Sequence, residues 1–237
     1  MTFRPLPGLT IACALMFALL CALGTWQLER LQWKLALIAR VNSHMAAAPV
    51  TLDQILGMPP DEAQYRHVTL AGRFENDKEA YAFGTDAAGV PVYHVLTPFK
   101  TDDGRILMVD RGVVPEEKRD PKTRAAGNVA GETKVTGVWR LPDPPGLFTP
   151  APNLAKRLWF SRDVAAMAAA DHVRLAAPVV IEADAKPNPG GLPRGGQTVV
   201  SFRNQHLSYA ITWYGLALVL LGVWLAYHIS RGRIALK

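Results

Sequence analysis

LSYAITWYGLALVLLGVWLAYHI, residues Leu207 to Ile229, decides the architecture: 23 consecutive positions contain no Asp, Glu, Lys or Arg. A helix needs about 20 such residues to cross a hydrocarbon layer about 30 Å thick. Leu9 to Leu28, LTIACALMFALLCALGTWQL, supplies a second run of 20 uncharged residues near the other end of the chain. The average composition hides both runs, because apolar residues make up 49 % and charged residues 19 % of the 237 positions. Arg4 and the small residues Ala22 and Gly24 give the first run some likeness to a cleaved signal peptide. Its uncharged length exceeds the usual signal core of about 7–15 residues, which favours an uncleaved anchor.

Two spans put both termini on one side of the membrane. The tail carries Arg231, Arg233 and Lys237 with no acid, which favours a cytoplasmic C-terminus. Arg30, Lys34 and Arg40 follow the first span and argue weakly the other way, but large domains translocate largely regardless of charge. The eight residues before the first span leave no room for an amphipathic transit peptide, so a bacterial plasma membrane is the simplest location. Cys13 and Cys21 both lie in the first span, eight residues apart, where they serve as small apolar fillers. The net charge of +6 is spread thinly, with no Lys/Arg block and no nucleic-acid-binding motif.

Outward from the spans, the layout is an N-terminus at 1–8, a first span at 9–28, a water-facing region at 29–204, a second span at 205–229 and a basic tail at 230–237. Leu31, Leu35, Ile38 and Val41 recur at helical spacing, so the first helix continues past the span until Pro49. Strand patterns follow at 67–74, 79–83, 91–99, 105–114, 133–140 and 179–183. Thr101-Asp102-Asp103-Gly104 reads as a hairpin turn, and Asp163 is placed to cap an Ala-rich helix from Val164 to Asp171. The fold expected is two transmembrane helices flanking an antiparallel sheet or small barrel, with one or two short helices. Two loops, 141–153 with five prolines and the Pro/Gly-rich 186–197, read as turn or linker, with partner docking as the alternative.

No nucleophile elbow, Walker loop, H-E-x-x-H or Cys-x-x-Cys motif is present. Asp102, Asp103, Glu116 and Glu117 fall in apparent turns and read as solvated. A membrane-bound enzyme would require a cleft of convergent polar residues among the strands. His44, His67, His94 and His172 are scattered singly and read as surface or satisfied residues. His206 and His228 sit at the two ends of the second span, about 33 Å apart at 1.5 Å per residue, so they cannot share a ligand. His206, Ala210, Trp213, Ala217, Leu220 and Trp224 share a helical stripe with Tyr209 beside it, and Trp26 and Trp33 lie near the same membrane face. An aromatic belt with helix packing explains this pattern without a ligand. The sharper alternative is an axial imidazole for a planar, greasy iron cofactor, because neutral imidazole is a good iron ligand.

Several segments together resemble the surfeit-locus (Surf/Shy-type) family of cytochrome oxidase assembly factors. They are Leu23 to Lys34, Tyr65 to Val68 with Gly72 to Phe74, Pro91 to Phe99, Val109 to Gly112, Trp159 to Asp163, and Arg203-Asn204-Gln205-His206-Leu207-Ser208-Tyr209-Ala210-Ile211-Thr212-Trp213-Tyr214-Gly215. Val113 departs from the pattern, where an aromatic residue commonly follows the Asp-Arg-Gly match. The resemblance implies a two-span membrane protein, with its domain on the periplasmic side in bacteria, that assists insertion of haem a into the oxidase catalytic subunit. It implies His206 as the haem iron ligand. Beside it, Trp26, Tyr209 and Trp213 are expected to line the porphyrin, with Arg30 and Arg203 placed to pair with its propionates. The expected partners are the oxidase catalytic subunit, haem a synthase and membrane lipid. The alternative of another class is a haem-free chaperone that grips oxidase subunit one.

Overall fold

In the computed structural model, residues 2–86, 89–143, 145–198, 200 and 202–235 are described. The chain divides into two compact units, Met1–Arg40 with Ser201–Lys237, and Val41–Val200. Its elements in order are β1 (Thr2–Phe3), α1 (Pro7–Ala46), α2 (Leu52–Leu56), α3 (Pro60–Ala63), β2 (His67–Phe74), β3 (Ala80–Thr85) and β4 (Pro91–Thr101). There follow β5 (Ile106–Val114), β6 (Thr133–Arg140), β7 (Leu158–Trp159), α4 (Val164–Ala170), β8 (Val180–Ala183), α5 (His206–Ser230) and β9 (Ile234–Ala235).

The first unit is a pair of long apolar helices. Both α1 and α5 are long and apolar enough to cross a membrane. Leu15, Leu19, Ile11, Leu218, Val219 and Val223 stand exposed on them. Such faces are what a bilayer covers and water does not tolerate in bulk. α1 runs unbroken for 40 residues, past the end of the uncharged run. Of the stripe expected there, Val41 is buried whereas Leu35 is half exposed. The chain ends meet: β1 pairs with β9 antiparallel, and the Arg4 amide donates to Arg233 O at 2.9 Å.

The second unit is a five-stranded barrel. β2 pairs with β6, β6 with β8, β8 with β5, β5 with β4, and β4 closes on β2 through Arg73↔Lys100 and Phe74↔Phe99. The long β4 makes closure possible. Its C-terminal end meets β2, while its N-terminal half pairs with β3, which carries β7 on its outer edge. The expectation of antiparallel pairing holds for most of the ladder but not for β5–β8 or β3–β7, which run parallel. Parallel neighbours need a long crossover; between β5 and β8 the chain makes β6, β7 and α4.

Leu70, Phe99, Leu107, Val109, Val135, Trp139 and Ile181 form one core with α2 packed on it. Met108 and Val180 face the other way, onto Val164 and Met167 of α4. β5 is thus covered on both faces, which is why it reads as a nearly continuous apolar run. Asp163 caps α4 through the Ala166 amide at 3.1 Å. The β4–β5 hairpin turns at Gly104, whose φ of +88° favours glycine.

Candidate functional site at the helix pair

Five contacts set α1, with the residue just before it, against α5. Near the chain ends, Trp224 Nε1 donates to Thr10 Oγ1 at 3.2 Å. His228 is fully buried there: Nε2 accepts from the Leu6 amide at 3.1 Å, and Nδ1 donates to Trp224 O at 2.8 Å. Further along, Gly24 meets the ring of Tyr214; a Cβ at that position would lie 2.8 Å from the ring. The Tyr214 hydroxyl and Thr25 Oγ1 share a hydrogen bond at 2.9 Å. At the far end, His206 Nδ1 lies 2.8 Å from Gln27 Oε1.

The last contact fixes a tautomer. An amide oxygen only accepts, so in the neutral ring Nδ1 is the donor and Nε2 keeps its lone pair. Among the described residues Nε2 has no hydrogen-bond partner. His206 is partly buried, at the first position of α5. One histidine of α5 is therefore saturated and the other holds an unused, oriented acceptor.

The other residues singled out in the sequence are distributed around this pair. Ala210 and Ala217 are buried on the packing face of α5, and Trp213 is half-buried on it. Tyr209 and Trp26 are half exposed, Trp26 adjoining Gln27 in the chain. Arg30 is exposed and its guanidinium stacks 4.0 Å over the Trp33 ring. Arg203 is exposed, and neighbouring Phe202 takes Lys34 Nζ 4.7 Å over its ring. Gln27 was not foreseen. The signal was available, because it is the sole side-chain amide in Leu9–Leu28, and a polar group at membrane depth marks a helix contact.

The barrel unit holds two buried polar networks. In the first, the Glu79 carboxylate receives Arg124 at 2.6 and 3.1 Å, Arg111 at 3.3 Å and the Tyr81 hydroxyl at 3.1 Å. Burial, with Glu79 beside it, pushes the Tyr81 hydroxyl well above the ordinary phenol range, so it remains a donor. In the second, His94 Nδ1 lies 2.7 Å from Asp110 Oδ2, and Arg162 Nη1 lies 2.5 Å from Glu182 Oε1. Burial opposes protonation of His94, but the Asp110 carboxylate outweighs it and raises the imidazole above its usual value. This second network opens onto a cleft of about 450 Å³ lined by Phe83, His94, Arg140, Phe160, Arg162 and Glu182. A cleft with converging polar groups is thus present. Its charges are spent on one another: Arg162 also holds Asp143, and Arg140 Nε stands 3.6 Å from Glu182. Neither network was expected, since Asp110 and Glu182 sit in strands and Glu79 directly precedes one, not in the turns where acids were sought. Among the described residues no cluster of three metal-binding side chains occurs.

The fold and the helix-pair site define a barrel protein whose two ends lead into long apolar helices. The chain belongs to the SURF1 family, which matches it over residues 14–218. It is 38 % identical over 227 residues to Surfeit locus protein 1 of Gallus gallus, covering 88 % of this chain and 72 % of the relative. It is 35 % identical over 233 residues to Surfeit locus protein 1 of Takifugu rubripes, covering 90 % and 93 %. A SURF1-like protein of Monosiga brevicollis is 36 % identical over 217 residues, covering 85 % and 80 %.

Proposed function

We propose that this protein is a non-enzymatic membrane assembly factor for cytochrome oxidase that holds haem a at His206 and assists its delivery to the catalytic subunit. One observation carries the haem-binding part: Gln27 Oε1 lies 2.8 Å from His206 Nδ1, which in the neutral ring leaves Nε2 free to ligate. That is the arrangement by which metal-binding imidazoles are oriented, the second nitrogen being held by a neighbouring acceptor. Among the six residues assigned to the site, His206 alone offers a vacant ligating nitrogen. Haem, when bound, supplies an iron centre that accepts this lone pair.

The direct contacts Gln27–His206 and Gly24–Tyr214 leave no gap between the helices at this level. A flat ring therefore rests against a flank of the pair, not between the spans. Tyr209 and Trp26, each half exposed, supply apolar surface for such a ring, and Trp213 borders it. Arg203 is unengaged among the described residues and takes a propionate more readily than Arg30, which is stacked on Trp33.

The basic tail supports a location in a bacterial plasma membrane with both termini cytoplasmic and the barrel on the periplasmic side. Partner contact is favoured by the Pro-rich loop, whose Leu147 and Phe148 are 91 % and 93 % exposed. Two such side chains, held in a turn by Gly146 and Thr149, suit docking on the oxidase catalytic subunit or on haem a synthase.

The test is a detergent preparation co-expressed with haem a synthesis. A low-spin haem spectrum is expected, lost in His206→Ala with barrel unfolding unchanged. A colourless wild type under those conditions rejects haem binding and leaves a haem-free chaperone of oxidase subunit one.

A further inference from the structure

We propose that a second site, in the barrel, binds a phosphate-class oxyanion over the buried guanidinium of Arg111. The site is a cavity of about 270 Å³, near the lower end of small-molecule pockets, which run from about 300 to 1,000 Å³. Arg111 of β5 and Lys134 of β6 line it, and Lys186 with Pro187 and Asn188 forms one wall. This wall belongs to the Pro/Gly-rich loop that followed no strand or helix pattern in the sequence. It is fastened in place, Asn188 Nδ2 donating to Pro193 O at 2.5 Å and the Gly191 amide to Asn188 O at 2.8 Å.

Negative charge is what the cavity lacks. Arg111 is 1 % exposed, and its Nε is buried without an acceptor. The other side of its guanidinium is engaged with Asn76, Glu79 and Gly127 O, and its face lies 4.4 Å over Phe74. Glu79 is shared with Arg124, so one carboxylate answers two guanidiniums and a positive charge remains. Burial, with Arg124 nearby, draws Arg111 down to about 10. A buried, uncompensated cation is costly unless an anion joins it. Around the cavity, Lys134 and Lys186 add two cations against Asp184, which is itself 3.3 Å from His67 Nδ1. Three cations from three separate segments thus converge on a space that can hold an oxyanion, without an equal number of acids.

Free phosphate and the phosphate of a lipid headgroup share this chemistry, and the second is at hand for a chain carrying two apolar spans. Full-length protein in detergent is to be melted at fixed ionic strength with sodium chloride replaced by inorganic phosphate. A ligand that binds only the folded state raises the midpoint saturably. Short-chain phosphatidic acid and phosphatidylcholine form the second arm. Phosphatidic acid saturating at concentrations about tenfold below free phosphate assigns the headgroup as source; the reverse order assigns the free ion. Lys134→Ala/Lys186→Ala, which leaves Arg111 and Glu79 in place, is expected to weaken the response at least about tenfold without moving the chloride midpoint. A phosphate effect equal to that of chloride, or one undiminished in the double variant, overturns the site.

Discussion

His228 Nε2 accepts the backbone N–H of Leu6 at 3.1 Å, so the start of α1 is held by the end of α5. Leu6 precedes the helix, where an amide has no intrahelical partner. The imidazole, itself fully buried, supplies one beside Trp224, whose ring lies 4.4 Å away. His228→Phe keeps the volume and removes the acceptor. An unsatisfied buried amide costs about 1–3 kcal/mol. Hydrogen exchange at residues 4–10 should accelerate accordingly, while haem content, set at the opposite end of the pair, stays at the wild-type level. Loss of haem in this variant would mean the two ends are coupled.

At Gly24, α1 leaves no room for a side chain against α5. A Cβ there would stand 2.8 Å from the Tyr214 ring, which is tied to Thr25 by its hydroxyl. Gly24→Ala forces the ring off that bond, and Gly24→Leu forces the helices apart. Overpacking of this kind typically costs about 1–3 kcal/mol. Steric-trap or thermal unfolding in detergent should rank wild type above Gly24→Ala above Gly24→Leu. Equal stability of all three would show that Tyr214 turns away freely.

What was legible in the sequence divides along physical lines. The spans were legible because a bilayer imposes length and apolarity locally, in every residue of the run. Strands β2 and β6 were legible to the residue because one face of each is buried and period two survives. β5 was legible to within one residue, although α4 covers its outer face and turns Met108 and Asp110 into interior positions. A small barrel was one of the two forms expected, but the way it closes was not legible. It depends on β4 changing partner from β3 to β2 along its length, which is a matter of twist and leaves no mark in residue type. At the site, His206 stood out by its position at a helix mouth, but its partner Gln27 is 179 residues distant. Such pairings are carried by the tertiary structure alone.

Glu79 holds the barrel's first network together, and the prediction for it is a stability loss. Glu79→Gln keeps the shape but leaves Arg111 and Arg124, 1 % and 2 % exposed, without a counter-charge. Breaking a buried pair from one side typically costs about 3–5 kcal/mol. Urea unfolding followed by the fluorescence of buried Trp139 and Trp159 is the measurement. A change below about 1 kcal/mol would mean that water or another acid already serves the guanidiniums.

His94 gives the barrel a pH dependence of definite sign. Its protonated form is favoured in the folded state by Asp110 at 2.7 Å, with Glu182 assisting and Arg162 opposing. A group whose folded value is raised binds its proton more readily when folded. The stability it contributes is therefore complete below the unfolded value, about 6.5, and declines as pH rises through the higher folded value. Melting points between pH 5.5 and 8.5 should fall more steeply in wild type than in His94→Gln. Parallel profiles would show that folding leaves the proton affinity of the imidazole unchanged.

The decisive residue for the haem proposal is Gln27, because it acts on His206 without touching the ligand. Its Oε1 fixes both the tautomer and the ring plane of the imidazole. In Gln27→Leu the proton is free to move to Nε2, and the ring loses its tether. Second-partner losses of this kind cost about 10–100-fold in metal affinity. Haem titration of the apoprotein, followed by the low-spin absorption bands, should show that fall. Gln27→Glu, which retains an acceptor at the same reach, should bind within a few-fold of wild type. A leucine variant that holds haem as tightly as wild type would detach Gln27 from ligation, and a glutamate variant as weak as leucine would point to packing and not to the hydrogen bond.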